Sequence, residues 1–389
     1  LQHPEQGFSW CPAEGSIYFK FAAGKFVFLL NAVDDLIYFA NDTGLRETFE
    51  ATLKARFDVD FLGQAHWYLK SRVSQNADFS IGLDQARYSS LILSRFLPSL
   101  SLTTISAEDR AKYSAPLPAD YTATKEECAS DSFEVLRLEG EFGFKYSSLI
   151  GMLIFLLNTA FLLQFSIRKL AKFMATPGRR HYEAAAHLLR YLRCNYLTLG
   201  LKYYPRLEDS PIYKLLSPLD DCPSNISDFP LMIFTDSSWQ DCHDTSRSTG
   251  SYLIYLNGGL IDGASFVPSP VALSSAESEY NAAAHGVTGA LHMRQLYQTL
   301  RDLDPDTPLT MPLFIDSSSA IAMSRNARDT RQTRHIRRRY HYVRHTVANG
   351  DAIPCKIPGD LNPADVGTKN LGATTLAVHQ PVMHVDVLP

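Results

Sequence analysis

The sequence predicts an α/β protein whose C-terminal half contains a mixed β-sheet, preceded by an N-terminal part of the α+β class. Two patterns lead to this fold class. After Pro230 the segments follow the order of three strands, a helix, a strand, one or more helices, a strand and a helix. Before Pro230, short apolar strands are followed by a long stretch with helical periodicity. The length of 389 residues, with 45% hydrophobic and 20% charged residues, is typical of a globular protein with two or three domains.

The N-terminal part opens with two apolar segments on either side of a polar turn. The segments KFVFLLNA and LIYFA predict two buried strands, and the turn between them carries Asp34 and Asp35. A helix is predicted over Leu45–Phe57 and a second hairpin over residues 66–88. Residues 97–133 are rich in Ser, Pro and Thr and therefore predict an extended linker.

A long helical pattern follows from Phe142 to Arg193, with a break at Thr176–Gly178. It contains the apolar run Ser148–Phe165, whose length approaches that of a membrane span. Hydropathy by itself leaves two interpretations open, a membrane helix and a helix buried inside a large domain. The loop Ser217–Pro230 predicts the clearest domain boundary.

The strands after this boundary lead to an aspartate and then to a glutamate. LMIFTD ends at Asp236, and STGSYLIYLNGG and LIDGASF predict two more strands joined by a Gly-Gly turn. The next segment predicts a helix with Ser274 or Ser275 as its N-cap and with Glu277 and Glu279 in its first turn.

Two further carboxylates occupy equivalent places in the remaining elements. The strand LFID ends at Asp316, directly before a helix that begins in SSSAIAMSRNA. The strand DAIPCKI and a short helix that opens at NPAD follow, with Asp365 at the start of that helix. Strand ends and helix starts can converge at one edge of a mixed sheet, so these carboxylates are candidates for one common site.

The pentads FTDSS and FIDSS raise the question of why the chain contains this pattern twice. A duplicated aspartic-protease dyad would repeat its flanks, but Asp236 leads into a hairpin and Asp316 into a helix, which excludes that class. Together with Glu279 and Asp365, the two aspartates instead predict a site for two divalent cations. Carboxylate oxygens are hard ligands, which favours Mg²⁺ or Mn²⁺ over zinc.

Charge and cysteine content limit the class of function further. The net charge of −4 argues against a uniformly basic nucleic-acid-binding protein, so such binding requires a local basic patch. The six cysteines are scattered and form no C-x-x-C pair, which predicts reduced thiols in an intracellular protein. Because the first residues lack an initiator Met and a signal-peptide pattern, we expect the chain to be a fragment of a longer protein.

The C-terminal half resembles the ribonuclease H domain of copia-type retrotransposon polyproteins. The resemblance covers residues 230–372 and rests on FTDSSWQDCHDTSRSTGSYLIY, PVALSSAESEYNAAA, LFIDSSSAIAM, TRHIRRRYHYVRH and NPADVGTK, in this order. It implies a ribonuclease H-like mixed five-stranded sheet with helices on both faces, and hydrolysis of the RNA strand of RNA–DNA hybrids with two Mg²⁺ or Mn²⁺ ions. The catalytic and metal-binding carboxylates that it implies are Asp236, Glu279, Asp316 and Asp365.

The upstream segments resemble the same polyproteins. NAVDDLIYFAND is similar to the reverse-transcriptase turn and its two strands, and KLAKFMATPGRRHYEAAAHLLRYLR is similar to the connection before ribonuclease H. The apolar run is then a buried helix of that connection, and no membrane association is expected. The predicted domains are a partial reverse-transcriptase palm/thumb with linker (1–133), the connection (134–229), the ribonuclease H-like domain (230–372) and a tail (373–389).

Departures from the family affect the polymerase half. Ala32 stands where the family has a Tyr that helps to hold the primer end. The third polymerase aspartate belongs to an earlier strand, which this chain does not include. Ala160 and Leu162 replace the Arg and Asp usual in the connection. Asp34 and Asp35 are therefore interpreted as a polymerase relic, and the alternative to an active ribonuclease H is a catalytically dead nucleic-acid-binding remnant.

We accordingly expect no primer extension by this chain alone, measured as nucleotide incorporation on a primed RNA template. A complete reverse transcriptase assayed in parallel provides the positive control. Incorporation above background that disappears on Asp35→Asn would contradict the interpretation of the N-terminal part as a relic.

Two segments are candidates for nucleic-acid contact. Eight arginines lie within residues 325–344 with one acid, and Arg334 and Arg338 are taken as phosphate contacts, although a solvated charged face is the alternative. Arg247, Ser248 and Thr249 are candidate contacts to the minor groove of a hybrid, or an ordinary turn before a strand. The expected partners are RNA–DNA hybrid, retroelement RNA and cDNA, and the N-terminal remainder of such a polyprotein. The expected location is intracellular, in cytoplasmic virus-like particles or in the nucleus.

Overall fold

A computed structural model of the chain describes residues 7–383, apart from residues 120, 123, 220, 224, 270 and 326–336. Residues 337–341 are described as a helix without their side chains. The described residues divide into two units. The first contains the residues up to Val73 together with Ala290–Leu309, and the second contains Ser74–Gly289 together with the residues from Thr310 onward.

An antiparallel sheet and a helix open the first unit. The strands are hydrogen-bonded in sequence order: β1 (Ser9–Trp10), β2 (Ile17–Ala22), β3 (Lys25–Ala32) and β4 (Asp35–Ala40). Helix α1 (Thr43–Lys54) begins after Asp42, whose side chain accepts a hydrogen bond from Leu45 N at 2.8 Å. The helix predicted over Leu45–Phe57 is therefore present and begins two residues earlier.

The strands on either side of the predicted turn are only partly buried, which corrects the prediction of two buried strands. Val27 and Leu29 pack against Phe49 and Leu53 of α1, whereas Phe39 on the opposite face is 49% exposed. The helix covers one face of the sheet, and antiparallel sheets tolerate solvent on the other.

Short strands and a group of helices connect this sheet to the C-terminal half. In chain order they are β5 (Trp67–Tyr68), β6 (Ser71–Gln75), β7 (Ile81–Asp84), α2 (Ala86–Phe96), α3 (Ala107–Lys112), α4 (Ser132–Phe142), α5 (Tyr146–Leu156), α6 (Gln164–Ala171), α7 (Arg179–Asn195), β8 (Gly200–Tyr203) and α8 (Pro211–Leu216). β5 pairs with β6 and β7 pairs with β8, both antiparallel. The hairpin predicted over residues 66–88 thus consists of three short strands and the start of α2.

The segment predicted as an extended linker contains α3 and the start of α4, which corrects that prediction. The Ser106 hydroxyl accepts a hydrogen bond from Asp109 N at 3.0 Å and caps α3. The Asp131 carboxylate accepts one from Glu134 N at 2.8 Å and caps α4. Ser and Asp favour helix N-caps as well as loops, so their abundance does not by itself indicate an extended chain.

The apolar run Ser148–Phe165 is buried but is not one helix. α5 ends at Leu156, a 3-10 turn forms at Phe161–Leu163, and α6 starts at Gln164, whose side chain donates to Gly263 O at 3.0 Å. Within the part of the chain that the structure describes, none of the helices has the length and hydrophobicity that crossing a membrane requires.

The C-terminal half contains the predicted five-stranded mixed sheet. Its strands are β9 (Leu231–Ser238), β10 (Thr249–Leu256), β11 (Gly259–Phe266), β12 (Met311–Ile315) and β13 (Ala352–Lys356). They are hydrogen-bonded in the order β11-β10-β9-β12-β13. The two pairs on the β11 side are antiparallel, and the β9–β12 and β12–β13 pairs are parallel. The fold class predicted from the order of elements is confirmed.

The turn between β10 and β11 differs from the predicted Gly-Gly turn. Asn257 and Gly258 are its central residues, with φ of 47° and 77°, and Gly259 already belongs to β11. Two successive residues with positive φ form the type I′ turn that fits the twist of a hairpin, and Asn-Gly is its preferred sequence.

Helices cover both faces of this sheet. Helix α9 (Ser275–Leu300) lies on one face, where Gly286 approaches Ile233 and Thr235 of β9. Met232 and Phe234, which alternate with them along the strand, belong to the core shared with the connecting helices. The predicted covering of the sheet on both sides is therefore present.

The close approach of Gly286 gives a stability prediction. A Cβ at this position would lie 2.8 Å from Thr235 Cγ2 and 2.9 Å from Ile233 Cγ2, so Gly286→Ala should destabilise the fold by roughly 1–3 kcal/mol in urea unfolding. Gly151 of α5 is a matched control, because a Cβ there meets no described atom within 4 Å apart from its own chain neighbours and the backbone of its helix. Gly151→Ala should stabilise by about 0.5–1 kcal/mol through helix propensity. Equal effects of the two changes would contradict the close packing of α9 on β9.

The remaining C-terminal elements are helices and 3-10 turns. They are α10 (Ser318–Arg325), α11 (Arg337–Ala348), 3-10 turns at Gly359–Leu361 and Pro363–Gly367, and α12 (Ala373–Met383). The helix predicted to open at NPAD is thus a 3-10 turn, tied to β9 by a hydrogen bond from Asn362 Nδ2 to Thr235 O at 2.9 Å. The segment predicted as a tail contains α12, in which Leu376, His379 and Met383 are buried.

Candidate active site

The two pentads lie side by side. β9 and β12 are parallel neighbours in which Phe234 pairs with Phe314 and Thr235 with Ile315. The two Phe rings stack with centroids 4.7 Å apart. The next residue on each strand is therefore an aspartate, and Asp236 and Asp316 meet at the same edge of the sheet.

Helix α9 delivers Glu279 to this edge, whereas Glu277 caps the helix. The Ser274 hydroxyl accepts a hydrogen bond from Glu277 N at 3.1 Å, and the Glu277 carboxylate accepts one from Leu273 N at 2.8 Å. Because the helix begins at Ser275, Glu277 is the acid of its first turn and Glu279 lies beyond that turn, which corrects the predicted placement. Glu279 Oε1 accepts a hydrogen bond from the backbone N–H of Ser237 in β9, at 3.3 Å.

Three carboxylates converge into one cluster. Asp236, Glu279 and Asp316 each offer one oxygen, and these oxygens lie within 4.8 Å of one another. Asp236 and Glu279 are 1% and 4% exposed. Within the described residues, Asp236 Oδ1 and Glu279 Oε2 are buried without a hydrogen-bond partner. Buried acidic oxygens without partners are costly unless a cation or a proton compensates them, so this donor set fits a hard divalent cation.

Lys369 forms ion pairs with both Asp365 and Asp236. Lys369 Nζ lies 2.9 Å from Asp365 Oδ1 and 3.5 Å from Asp236 Oδ2. The Thr368 hydroxyl also donates a hydrogen bond to Asp236 Oδ2. All four predicted carboxylates therefore lie in one region: Asp236, Glu279 and Asp316 form a direct cluster, and Asp365 lies beside Asp236, with Lys369 in contact with both aspartates.

Burial and like charges shift the protonation of the cluster. Burial, followed by the charges of Asp236 and Asp316, raises the pKa of Glu279 far above its ordinary value. Burial and the Asp236 charge also raise the pKa values of Asp316 and Asp365. Burial lowers the pKa of Lys369, but the charges of Asp236 and Asp365 outweigh it and raise that pKa. The site therefore favours any added positive charge.

Three polar residues of the site were not identified from the sequence. Thr368 and Lys369 lie three and four residues after Asp365 in the motif NPADVGTK, and this short distance from a carboxylate was the signal that could have identified them. Lys356, at the end of β13, donates from its Nζ to the backbone carbonyl of Asp316. Nothing in the local sequence marks Lys356, because its proximity arises from strand pairing.

The other predicted contact residues are not part of the carboxylate cluster. Arg247 is exposed, whereas Ser248 and Thr249 are each 3% exposed, and Thr249 donates to Asp241 Oδ2 at 2.9 Å. Arg334 lies outside the described residues, as does the side chain of Arg338, whose backbone belongs to α11. In the first unit, Asp34 in the β3–β4 turn and Asp35 at the start of β4 are exposed.

Solved ribonuclease H structures are among those found to be similar to part of this chain. One is the N-terminal ribonuclease H domain of a Mycobacterium tuberculosis protein fused to maltose-binding protein, 11% identical, covering 39% of this chain and 94% of that one, with a TM-score of 0.27. Another is a ribonuclease H1 isolated from compost, 15% identical, covering 36% and 91% of the two chains, also with a TM-score of 0.27. The strand order and the covering helices, rather than these superpositions, carry the fold assignment.

No protein-family model matches the chain. Sequence relatives cover nearly all of it. The retrovirus-related Pol polyprotein from transposon TNT 1-94 of Nicotiana tabacum is 28% identical over 91% of this chain, and that from transposon RE1 of Arabidopsis thaliana is 24% identical over 95%. The chain spans only 24% and 22% of the length of these relatives. The predicted resemblance is confirmed: the chain is related over nearly its whole length to retrovirus-related Pol polyproteins of plant transposons. These relatives are consistent with the predicted copia-type polyprotein.

Proposed function

We propose that this chain hydrolyses the RNA strand of RNA–DNA hybrids as the ribonuclease H region of a retroelement polyprotein. The observation that carries this proposal is the convergence of Asp236, Glu279 and Asp316, whose oxygens lie within 4.8 Å of one another at the end of β9 and β12. The relationship to retroelement Pol polyproteins supports the same activity and nucleic acids as partners, namely retroelement RNA and its cDNA.

Divalent cations, Mg²⁺ or Mn²⁺, would be held by Asp236, Glu279 and Asp316, with Asp365 completing a second position next to Asp236. The chemistry that two such ions supply when bound is activation of water and neutralisation of charge on the leaving oxygen of an in-line displacement at phosphorus. Asp236 lies between the two positions and would belong to both.

The surrounding residues fix the orientation of these carboxylates. The N–H of Ser237 holds one oxygen of Glu279, and the Thr368 hydroxyl holds one oxygen of Asp236. Both interactions leave the other oxygen of each carboxylate free of hydrogen bonds from the described chain. A rigid donor set of this kind favours one cation geometry, because little reorganisation is needed on binding.

The relationship to retroelement Pol polyproteins supports RNA–DNA hybrid as the proposed substrate class. A hybrid presents 2′-hydroxyls in a wide minor groove, and contacts to them would discriminate it from a DNA duplex. Arg247 is the exposed member of the segment preceding β10 that was considered for this groove, and its long cationic side chain suits a phosphate at the groove edge.

The test is cleavage of an end-labelled RNA–DNA hybrid by the purified chain with Mg²⁺. A DNA duplex of the same sequence is the substrate control, and EDTA is the metal control. Cleavage of the RNA strand alone is expected. Hybrid binding without cleavage at any Mg²⁺ or Mn²⁺ concentration would instead favour a nucleic-acid-binding remnant.

The arginine-rich tract gives a separate prediction. Arg334 and Arg338 are proposed to neutralise phosphates without reading sequence, so replacing both with Ala should weaken hybrid binding equally for unrelated sequences. The slope of log affinity against log salt concentration should flatten by about 1–2 units, because the variant makes fewer phosphate contacts and binding therefore releases fewer counterions. An unchanged slope would indicate that the tract is a solvated face.

A further inference from the structure

The two oxygens of Asp236 have different environments. Oδ2 accepts a hydrogen bond from Thr368 and lies 3.5 Å from the ammonium of Lys369. Oδ1 is buried and has no partner among the residues that the structure describes. The acidic region therefore contains two positions for positive charge, of which the chain itself fills one.

The filled position lies between Asp236 and Asp365. Lys369 Nζ is 2.9 Å from Asp365 Oδ1, and the carboxylate side chains of the two aspartates are 1% and 8% exposed. At the other position, among Asp236, Glu279 and Asp316, neither Glu279 nor Asp316 forms an ion pair with a lysine among the described residues, and Lys369 approaches only Asp236, through its Oδ2. A divalent ion that enters the Asp236–Asp365 position must displace Lys369. An ion that enters among Asp236, Glu279 and Asp316 displaces no cation of the described chain.

Lys369 is able to leave. Its side chain is 39% exposed, while the carboxylates that it contacts are buried. Asp365 belongs to the 3-10 turn Pro363–Gly367, and the Thr368 hydroxyl donates a hydrogen bond to Asp365 O. The turn therefore does not need to move when the flexible side chain of Lys369 rotates toward solvent.

We propose that Lys369 is an internal counter-cation that occupies the Asp236–Asp365 position and is displaced when a second divalent ion binds. This inference rests on the proposed function, because it concerns how the same carboxylates take up metal. Its consequence is an order of binding: the first ion enters among Asp236, Glu279 and Asp316, and the second binds more weakly. The lysine also limits repulsion within the cluster when metal is scarce.

Calorimetric titration with Mn²⁺ in the absence of nucleic acid tests this order. The unmodified protein should bind two ions in steps that differ by about tenfold or more in affinity, the scale of a coupling between neighbouring sites. Lys369→Met should tighten the second step by about tenfold while leaving the first within about twofold. Lys369→Arg keeps the charge and should keep the steps apart. Lys369→Gln provides a second neutral variant in case the Met variant does not fold.

Lys356→Met is the matched control. Lys356 donates to the backbone carbonyl of Asp316 and not to the Asp236–Asp365 pair, so its removal should leave the second step unchanged. An unchanged second step in both neutral Lys369 variants, or one step or two equal steps in the unmodified protein, would overturn the proposal. If hybrid cleavage still required Mg²⁺, the proposed function would stand. Absence of Mn²⁺ binding in every variant would reject the proposed function as well.

Discussion

Asp236→Asn should lower cleavage of the RNA strand by roughly three orders of magnitude or more while leaving the protein folded. Asp236 lies between both proposed cation positions and is 1% exposed, so losing its charge removes a ligand from each. Asn has nearly the same volume and keeps an oxygen that can accept the Thr368 hydrogen bond. Single-turnover cleavage of a labelled hybrid measures the loss, and circular dichroism checks the fold.

Glu279 and Glu277 supply a matched pair for this experiment. Glu279→Gln should reduce cleavage strongly, because Glu279 belongs to the carboxylate cluster. Glu277→Gln changes an acid of the same helix that caps its N-terminus through Leu273 N, and cleavage should stay close to that of the unmodified protein. Hybrid binding should persist in all three variants. Cleavage by Asp236→Asn at the unmodified rate, or equal loss in the two glutamate variants, would contradict the assigned site.

Mg²⁺ should raise the midpoint temperature of thermal unfolding. The clustered carboxylates repel one another and two of their oxygens have no partner, so a bound cation stabilises the native state by mass action. At about 100 times its dissociation constant, one bound ion contributes about 2.7 kcal/mol. For a unit of this size that corresponds to a shift of roughly 4–5 °C. Differential scanning calorimetry with and without Mg²⁺ measures it.

NaCl at matched ionic strength separates specific binding from screening of surface charge. Asp236→Asn should lose most of the Mg²⁺ response. Without metal it should unfold at or above the temperature of the unmodified protein, since the Asp236 charge is a cause of the raised pKa values of Glu279, Asp316 and Asp365. A full Mg²⁺ response in this variant would place the stabilising ion elsewhere.

The sequence by itself determined the order of elements and the identity of the acidic residues. Strand and helix periodicity depend on neighbours a few residues apart, so the strand that contains Asp236 and the strand that directly precedes Asp316 were predictable. The motifs with which the chain resembles retrotransposon polyproteins named Glu279 in preference to Glu277, and Asp365 as the fourth acid. Predictions based on composition were weaker: Ser106 and Asp131 cap helices in a segment predicted as a linker, and the apolar run is broken between α5 and α6.

Only the tertiary structure decided how distant segments meet. The parallel pairing of β9 with β12 sets Phe234 beside Phe314 and so brings the two pentads into register. The position of Lys369 between Asp236 and Asp365 follows from the packing of a 3-10 turn against β9. The physical reason is that strand register and turn packing depend on contacts between residues far apart in sequence, which local periodicity does not encode. The sequence therefore predicted the acids, and the packing determined which of them cluster and which is paired with a lysine.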